Sequence, residues 1–441
     1  MKYSSSASGR LARSLSIMFA ASLLPGLMSS SAARAQPTEP APAPSAAAQP
    51  SAAKAAEREA WRAAIARTPT PKKGCFTALY PNTEWQETPC SQPSRYPNRA
   101  RGHGPALPDS LVGNGNDFSA QPSVVSGLPS PGNFAQASGG ISKAVGSFDS
   151  VTPATITESG PWFGKNCPPP PPSCNHPPPC PEPDTAQTPN TCPPVPTPNA
   201  FSLQLNSQPF STPACQGAEG CQGWQQFVFS QNQCGSPESP APCVFIEYWL
   251  LNFGPSCPTT PPPMNCQPQP QWTSVEANGE NDCFINSCSS PAPGLPADQL
   301  QGATLTGTAG DMDTVVLTTA AGPAMAIAAD SVLNLAQGWN TVEWNVFGDC
   351  CLSQANFSAG STLVVRTTVN SGGVTPPNCV REGFTGESNN LFLGGAPALA
   401  PASTLPATVF TTSTAIVFTE TNAADRKPAS CTGIVTNGVR P

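Results

Sequence analysis

Histidine is almost missing from this chain: among 441 residues there are two, His103 and His176. Both lie in Pro/Gly-rich surroundings. A Ser-His-Asp or Cys-His centre needs an imidazole held rigidly beside its nucleophile, so that chemistry is disfavoured. There is no Gly-x-Ser-x-Gly elbow, no phosphate-cradling glycine loop and no His-Glu-x-x-His pair. Charge is also scarce, at 11% of residues with a net charge of −7 and a pI near 4.9. Nothing in it forms the basic patch that a phosphate backbone requires, so no nucleic-acid partner is expected. A metal centre needs closely spaced Cys and His. Cys174, His176 and Cys180 come nearest, between proline runs that close poorly around an ion, and neither a metal nor another cofactor is expected. Beyond Met28 no apolar run is long enough to cross a bilayer, so no membrane span is expected.

What is plentiful is proline (57), glycine (36) and cysteine (18). The N-terminus reads as a signal peptide over residues 1–35 and bacterial in style. Lys2, Arg10 and Arg13 precede a short apolar core, Ile17 to Met28, and Ala33-Arg34-Ala35 offers a small-x-small cleavage site. An exported chain with an even cysteine count reads as a disulfide framework. Local spacing favours Cys75 with Cys90, Cys215 with Cys221, Cys234 with Cys243 and Cys283 with Cys288. Residues 36–74 read as a Pro/Ala-rich linker, in which Ala55 to Arg67 is either a short exposed helix or part of a pro-segment. Residues 75–108 read as an irregular, disulfide-prone stretch.

From Asp109 onward the pattern is all-β. Short runs rich in Val, Ile, Phe, Trp and Thr recur between Gly, Pro, Ser and Asn: 141–150, 200–206, 224–230, 244–253, 304–308, 314–319, 341–347, 362–369 and 415–421. Scattered short strands without a convincing helix indicate an antiparallel β-sandwich of jelly-roll or concanavalin-like layout over 109–441. Two Pro-rich inserts, 166–198 and 255–270, are expected at its edge, polyproline II-like and pinned by disulfides.

Glu247 is the only charged residue in the apolar run 244–252. A carboxylate among aromatic residues is costly to bury unless it is paired, protonated or used. Strand alternation puts Phe245, Glu247 and Trp249 on one face. Such surroundings raise an acid's pKa and suit it to general acid–base work on water. On the preceding run Gln226 shares a face with Trp224, and Gln225 shares the other with Phe227. Either amide is a candidate oxyanion donor. Glu343 and Trp344 mark a further candidate cleft strand.

These segments resemble the eqolisins, the glutamic peptidases of the acid-active secreted class. Phe245-Ile246-Glu247-Tyr248-Trp249 resembles an aromatic Glu stretch of that family and Trp224-Gln225-Gln226-Phe227-Val228-Phe229 its Gln stretch. Asn340 to Val346 resembles the family's late Ala-Glu-Trp-Ile-Val strand. Ala355-Asn356-Phe357 followed by Thr362 to Val365 resembles its closing segment, and Val145 to Phe148 an early strand. The resemblance runs over about 141–370. It implies a concanavalin-like sandwich, a polypeptide substrate and no cofactor. Glu247 would then activate water, Gln225 or Gln226 would steady the tetrahedral intermediate, and Trp224, Phe245, Trp249, Glu343 and Trp344 would line the cleft. The competing expectation is a non-catalytic secreted sandwich that binds at a surface or matrix.

Overall fold

Branched and aromatic runs in this chain fold as strands because a pleated, half-buried surface is where such side chains pack best. The computed structural model describes residues 52–94, 96–100, 133–152, 155–159, 197–236, 239–264, 266–277, 280–350, 353–380, 383–393, 412–422 and 432–437. The signal-like segment, both histidines and most of the first Pro-rich insert fall outside them. One helix, α1 (Ala52–Ile65), precedes the strands. In chain order these are β1 (Gly74–Ala78), β2 (Gln86–Thr88), β3 (Phe134–Gln136), β4 (Lys143–Val151), β5 (Ile156–Ser159), β6 (Thr197–Pro198), β7 (Ser202–Ser207), β8 (Gln222–Ser236), β9 (Ser239–Leu251), β10 (Thr273–Ala277), β11 (Glu280–Asn286), β12 (Ser290–Pro291), β13 (Thr304–Thr308), β14 (Met312–Thr318), β15 (Ala324–Asp330), β16 (Thr341–Phe347), β17 (Gln354–Phe357), β18 (Thr362–Asn370), β19 (Asn378–Val380), β20 (Ser388–Asn389), β21 (Phe392–Leu393), β22 (Thr412–Thr421) and β23 (Thr432–Asn437).

Two large antiparallel sheets form a β-sandwich. The first runs β2-β1-β15-β14-β13-β4-β18-β22-β21, with β23 also on β22. The second runs β10-β11-β9-β8-β7-β16-β3-β19, with β12 also on β9. A small third sheet, β20-β17-β5-β6, contains the one parallel pairing among the described strands, β17 with β20. The core lies between the large sheets, where Phe227, Leu203 and Trp344 of the second meet Leu305, Val315 and Phe148 of the first. Two glycines permit close approach between the sheets. A Cβ on Gly146 of β4 would overlap the Trp344 ring, and one on Gly307 of β13 would overlap Phe227.

The start of the stretch 75–108, read from the sequence as irregular, supplies nearly all of β1 and the whole of β2, and β1 pairs along its whole length with β15. The alanine-rich β15 (AMAIAAD) carries little strand propensity of its own; neighbours on both sides hold it. Helix α1 packs Trp61 and Ile65 against Ala78 and Ala324. It is therefore not merely an exposed helix.

The disulfides Cys75–Cys90, Cys215–Cys221 and Cys234–Cys243 form as spacing suggests. Cys283 and Cys288 do not pair with each other. Cys283 bonds Cys257 and Cys288 bonds Cys266. The second Pro-rich insert is thereby tied down at two points along β11 and the turn after it, and chain proximity gave way to cross-linking of a loop that has few backbone bonds of its own. Cys350 and Cys379 are also disulfide-bonded. Among the described residues no helix is long and apolar enough to cross a membrane.

Candidate functional site

The longest hairpin, β8–β9, sets the site through its register. Gln226 lies directly opposite Glu247, Trp224 opposite Trp249, and Gln225 opposite Tyr248. Side chains on a strand alternate, so Gln226 and Glu247 share a face while Gln225 takes the other. The pairing continues across the sheet. Asn206 of β7 opposes Gln226, Glu343 of β16 opposes Asn206, and Asn286 of β11 opposes Glu247. Five strands thus carry one transverse polar row, Glu343–Asn206–Gln226–Glu247–Asn286, on the face turned away from the first sheet.

That row is fully covered. Asn98, from the segment after Cys90, donates its backbone N–H to Glu247 Oε1 at 2.8 Å and its Nδ2 to Oε2 at 3.2 Å. The Trp249 indole N–H donates to the same Oε1 at 2.6 Å. Gln226 Nε2 donates to Gln204 Oε1 at 3.1 Å, and Asn206 Nδ2 bridges Gln204 Oε1 and Glu343 Oε2. The backbone N–H of Thr385 also reaches Glu343 Oε2, at 3.4 Å. The carbonyl oxygens of Asn206, Gln226 and Asn286 are buried without a hydrogen-bond partner. Buried acceptors are normally satisfied, so a run of them along one row marks a place where a donor fits.

Burial drives the electrostatics. Desolvation pushes Glu247 well above the usual carboxylate range, and the nearby Glu387 carboxylate adds to it. The bonds from Trp249 and Asn98 favour the charged form and oppose this, without reversing it. A second carboxyl pair lies where the small sheet meets the second one. Asp349 accepts from Ser230 Oγ at 2.6 Å, and Glu158 accepts from Ser353 Oγ and from the Asp349 N–H. Burial raises both acids, and Glu158 further raises Asp349.

The remaining sequence candidates divide by face. Gln225 points between the sheets, where its Nε2 donates to Asp313 Oδ2 at 3.0 Å. It is therefore on the wrong side of β8 to meet Glu247. Trp224 and Trp249 are neighbours with tilted rings, 6.1 Å between centroids, in a buried cluster with Phe284. Phe245 is buried opposite Val228, on the same face as Glu247. Trp344 turns the other way from Glu343, over Gly146, with its N–H on the Ser147 carbonyl. Asn98, Gln204, Asn206 and Asn286 were not singled out from the sequence. Gln204 and Asn206 were detectable in principle, as two amides alternating with Leu203 and Leu205 in a strand-like run. Asn98 carries no such signal. Compared with known proteins, the chain matches no family model, no curated protein and no solved structure.

Proposed function

We propose that this protein is a secreted acid endopeptidase of glutamic-peptidase type. Glu247 takes a proton from water, and the water oxygen attacks the carbonyl carbon of a peptide bond. Gln226 donates its amide N–H to the oxyanion that forms. Glu247 then returns the proton to the leaving amine as the C–N bond breaks. Glu343, on the same face two strands beyond Gln226, stands by as a second carboxyl. The observation that carries the reading is the register of β8 and β9, in which Gln226 and Glu247 are direct cross-strand partners on one face. The desolvated Glu247 supports it, since burial that favours the protonated form suits a carboxyl to hold a proton between its transfer steps. The disulfides support export.

The test is hydrolysis of a denatured protein substrate between acid and neutral pH by the chain from Gln36 onward. Glu247→Gln is expected to lower the rate by about 100-fold or more, as loss of a general base does. Gln226→Ala is expected to lower it about 100-fold by removing an oxyanion donor. Gln225→Ala should leave it within a few-fold, a small effect of the kind expected for a side chain that does not meet the developing charge. Full activity in Glu247→Gln with loss in Glu343→Gln would move the base to β16.

A non-catalytic sandwich remains the second reading, because both oxygens of Glu247 already have donors from within the chain. Absence of hydrolysis at every pH, together with binding to a protein or glycan surface, would favour it.

A further inference from the structure

The polar row is covered by a segment of the chain itself. That segment, Tyr96 to Ala100, lies over the outer face of the second sheet. Its last residue, Ala100, bridges Thr385, and Ser91, five residues before Tyr96, bridges Ser289. Consecutive backbone N–H groups are taken by carboxylates: Asn98 donates to Glu247 Oε1 and Arg99 to Glu387 Oε1, at 2.8 and 3.0 Å. The carbonyl of Arg99 accepts from the Gly386 N–H at 2.7 Å, and that of Tyr96 accepts from Asn286 Nδ2 at 3.2 Å. The Asn98 carboxamide is read on both sides. Its Nδ2 donates to Glu247, while its Oδ1 accepts from Gln204 Nε2 at 3.2 Å and Gln233 Nε2 at 3.1 Å. Ala100 and Phe384 complete the cover by packing on the Trp224–Trp249–Phe284 cluster.

Here the Asn98 and Arg99 N–H groups, the Asn98 carboxamide and the Tyr96 carbonyl are met by side chains that the sheet and the 384–387 segment present, which is more than space-filling needs. An extended backbone with alternate side chains received by the sheet is how peptides are bound in grooves. Resting on the proposed peptidase reading, we infer that this face is a groove for an extended polypeptide, that its deepest subsite accepts an Asn-type carboxamide, and that Tyr96–Ala100 is an internal ligand that keeps the groove shut. A polypeptide substrate takes the place of this segment, and the chain is latent until the segment lifts.

The experiment uses the full chain, Asn98→Ala and Asn98→Asp. Asn98→Ala removes three side-chain hydrogen bonds, and Asn98→Asp sets a carboxyl against Glu247. Hydrogen–deuterium exchange follows the amides of residues 96–100, and hydrolysis of denatured protein is assayed beside it. A synthetic Tyr-Pro-Asn-Arg-Ala peptide and its Asn→Leu version are then titrated into each form, with Trp fluorescence as the signal. The expected result is exchange at Asn98 and Arg99 about ten-fold faster or more in both variants, of the order that lost buried hydrogen bonds give, with β8 and β9 unchanged. Hydrolysis should rise in step. The Asn peptide should bind the variants, keep the amides of 96–100 in fast exchange by holding the segment out, and inhibit hydrolysis, and the Leu peptide should not.

Unchanged exchange in both variants overturns the inference, and so does a lifted segment with no gain in an otherwise active protein. If no form hydrolyses anything yet the Asn peptide binds the variants selectively, the groove and its internal ligand stand and the peptidase reading falls.

Discussion

Gly146 shows how one residue decides whether the sandwich can close. Its missing Cβ is the space into which the Trp344 indole fits, and the ring is locked there by its bond to the Ser147 carbonyl. Gly146→Ala forces the ring or β4 to shift in a packed interior, which costs about 1–3 kcal/mol. The expected outcome is a lower denaturation midpoint with the m-value unchanged, read by urea unfolding with disulfides intact. The same substitution at Gly372, where an added Cβ meets nothing but φ is +74°, tests backbone strain instead. At this scale the sequence was informative about Glu247, because a lone acid in an apolar strand stands out. It could not choose between Gln225 and Gln226. Both sit in the same run, and only the pairing of Gln226 with Glu247 separates them. Asn98 was invisible because an irregular segment has no periodicity to reveal which way a side chain points.

Elements were legible where they alternate and are bounded by turn residues, as β13 and β16 are. They were not legible where tertiary contacts override local preference. Helix α1 illustrates this. Its alanine-rich sequence announces a helix, but nothing local says that it is held. The structure holds it through Trp61 and Ile65 on Ala78 and Ala324, through the Trp61 N–H on the Asn82 carbonyl at 2.6 Å, and through Arg58 on the carbonyls of Ala320 and Gly322. Trp61→Ala is therefore expected to destabilise the fold by about 3 kcal/mol, as buried Trp→Ala changes do. A disposable pro-segment would leave the melting temperature untouched, so calorimetry of this variant separates the two. The disulfide mismatch has a similar origin. Cys283 and Cys288 are five residues apart in the chain, but β11 and the turn that follows direct them to different cysteines of the Pro-rich insert.

Across the whole molecule, several buried acids share one trait: burial shifts them upward, with another acid adding to it in most, while hydrogen bonds oppose the shift. Burial lifts Asp313 to about 7 against the bonds from Gln225 and Ser331. It lifts Glu420 to about 8 against the bonds from Asn345, with Glu343 adding to the rise. Glu247 and Asp349 move the same way. In the unfolded chain such groups titrate near 4. Their folded pKa is higher, so the folded state holds more protons between those limits, and stability falls as pH rises through that window. Below about 4 both states are protonated and the advantage of the fold is complete; it is lost progressively up to about 7 for Asp313 and about 8 for Glu420. The slope per group is about 1.4 kcal/mol per pH unit within its window. The expected profile is a fold most resistant to heat in acid and weakening toward neutrality, the reverse of the acid lability seen where carboxylates are ion-paired. Melting curves at constant ionic strength from pH 3 to 8 check it. Asp313→Asn, which removes one titrating group from between the sheets, should flatten the decline between about 4 and 7 and leave the fall above 7 in place. A midpoint that rises with pH over that range would mean that these carboxyls are ionised in the fold and that burial does not govern their charge.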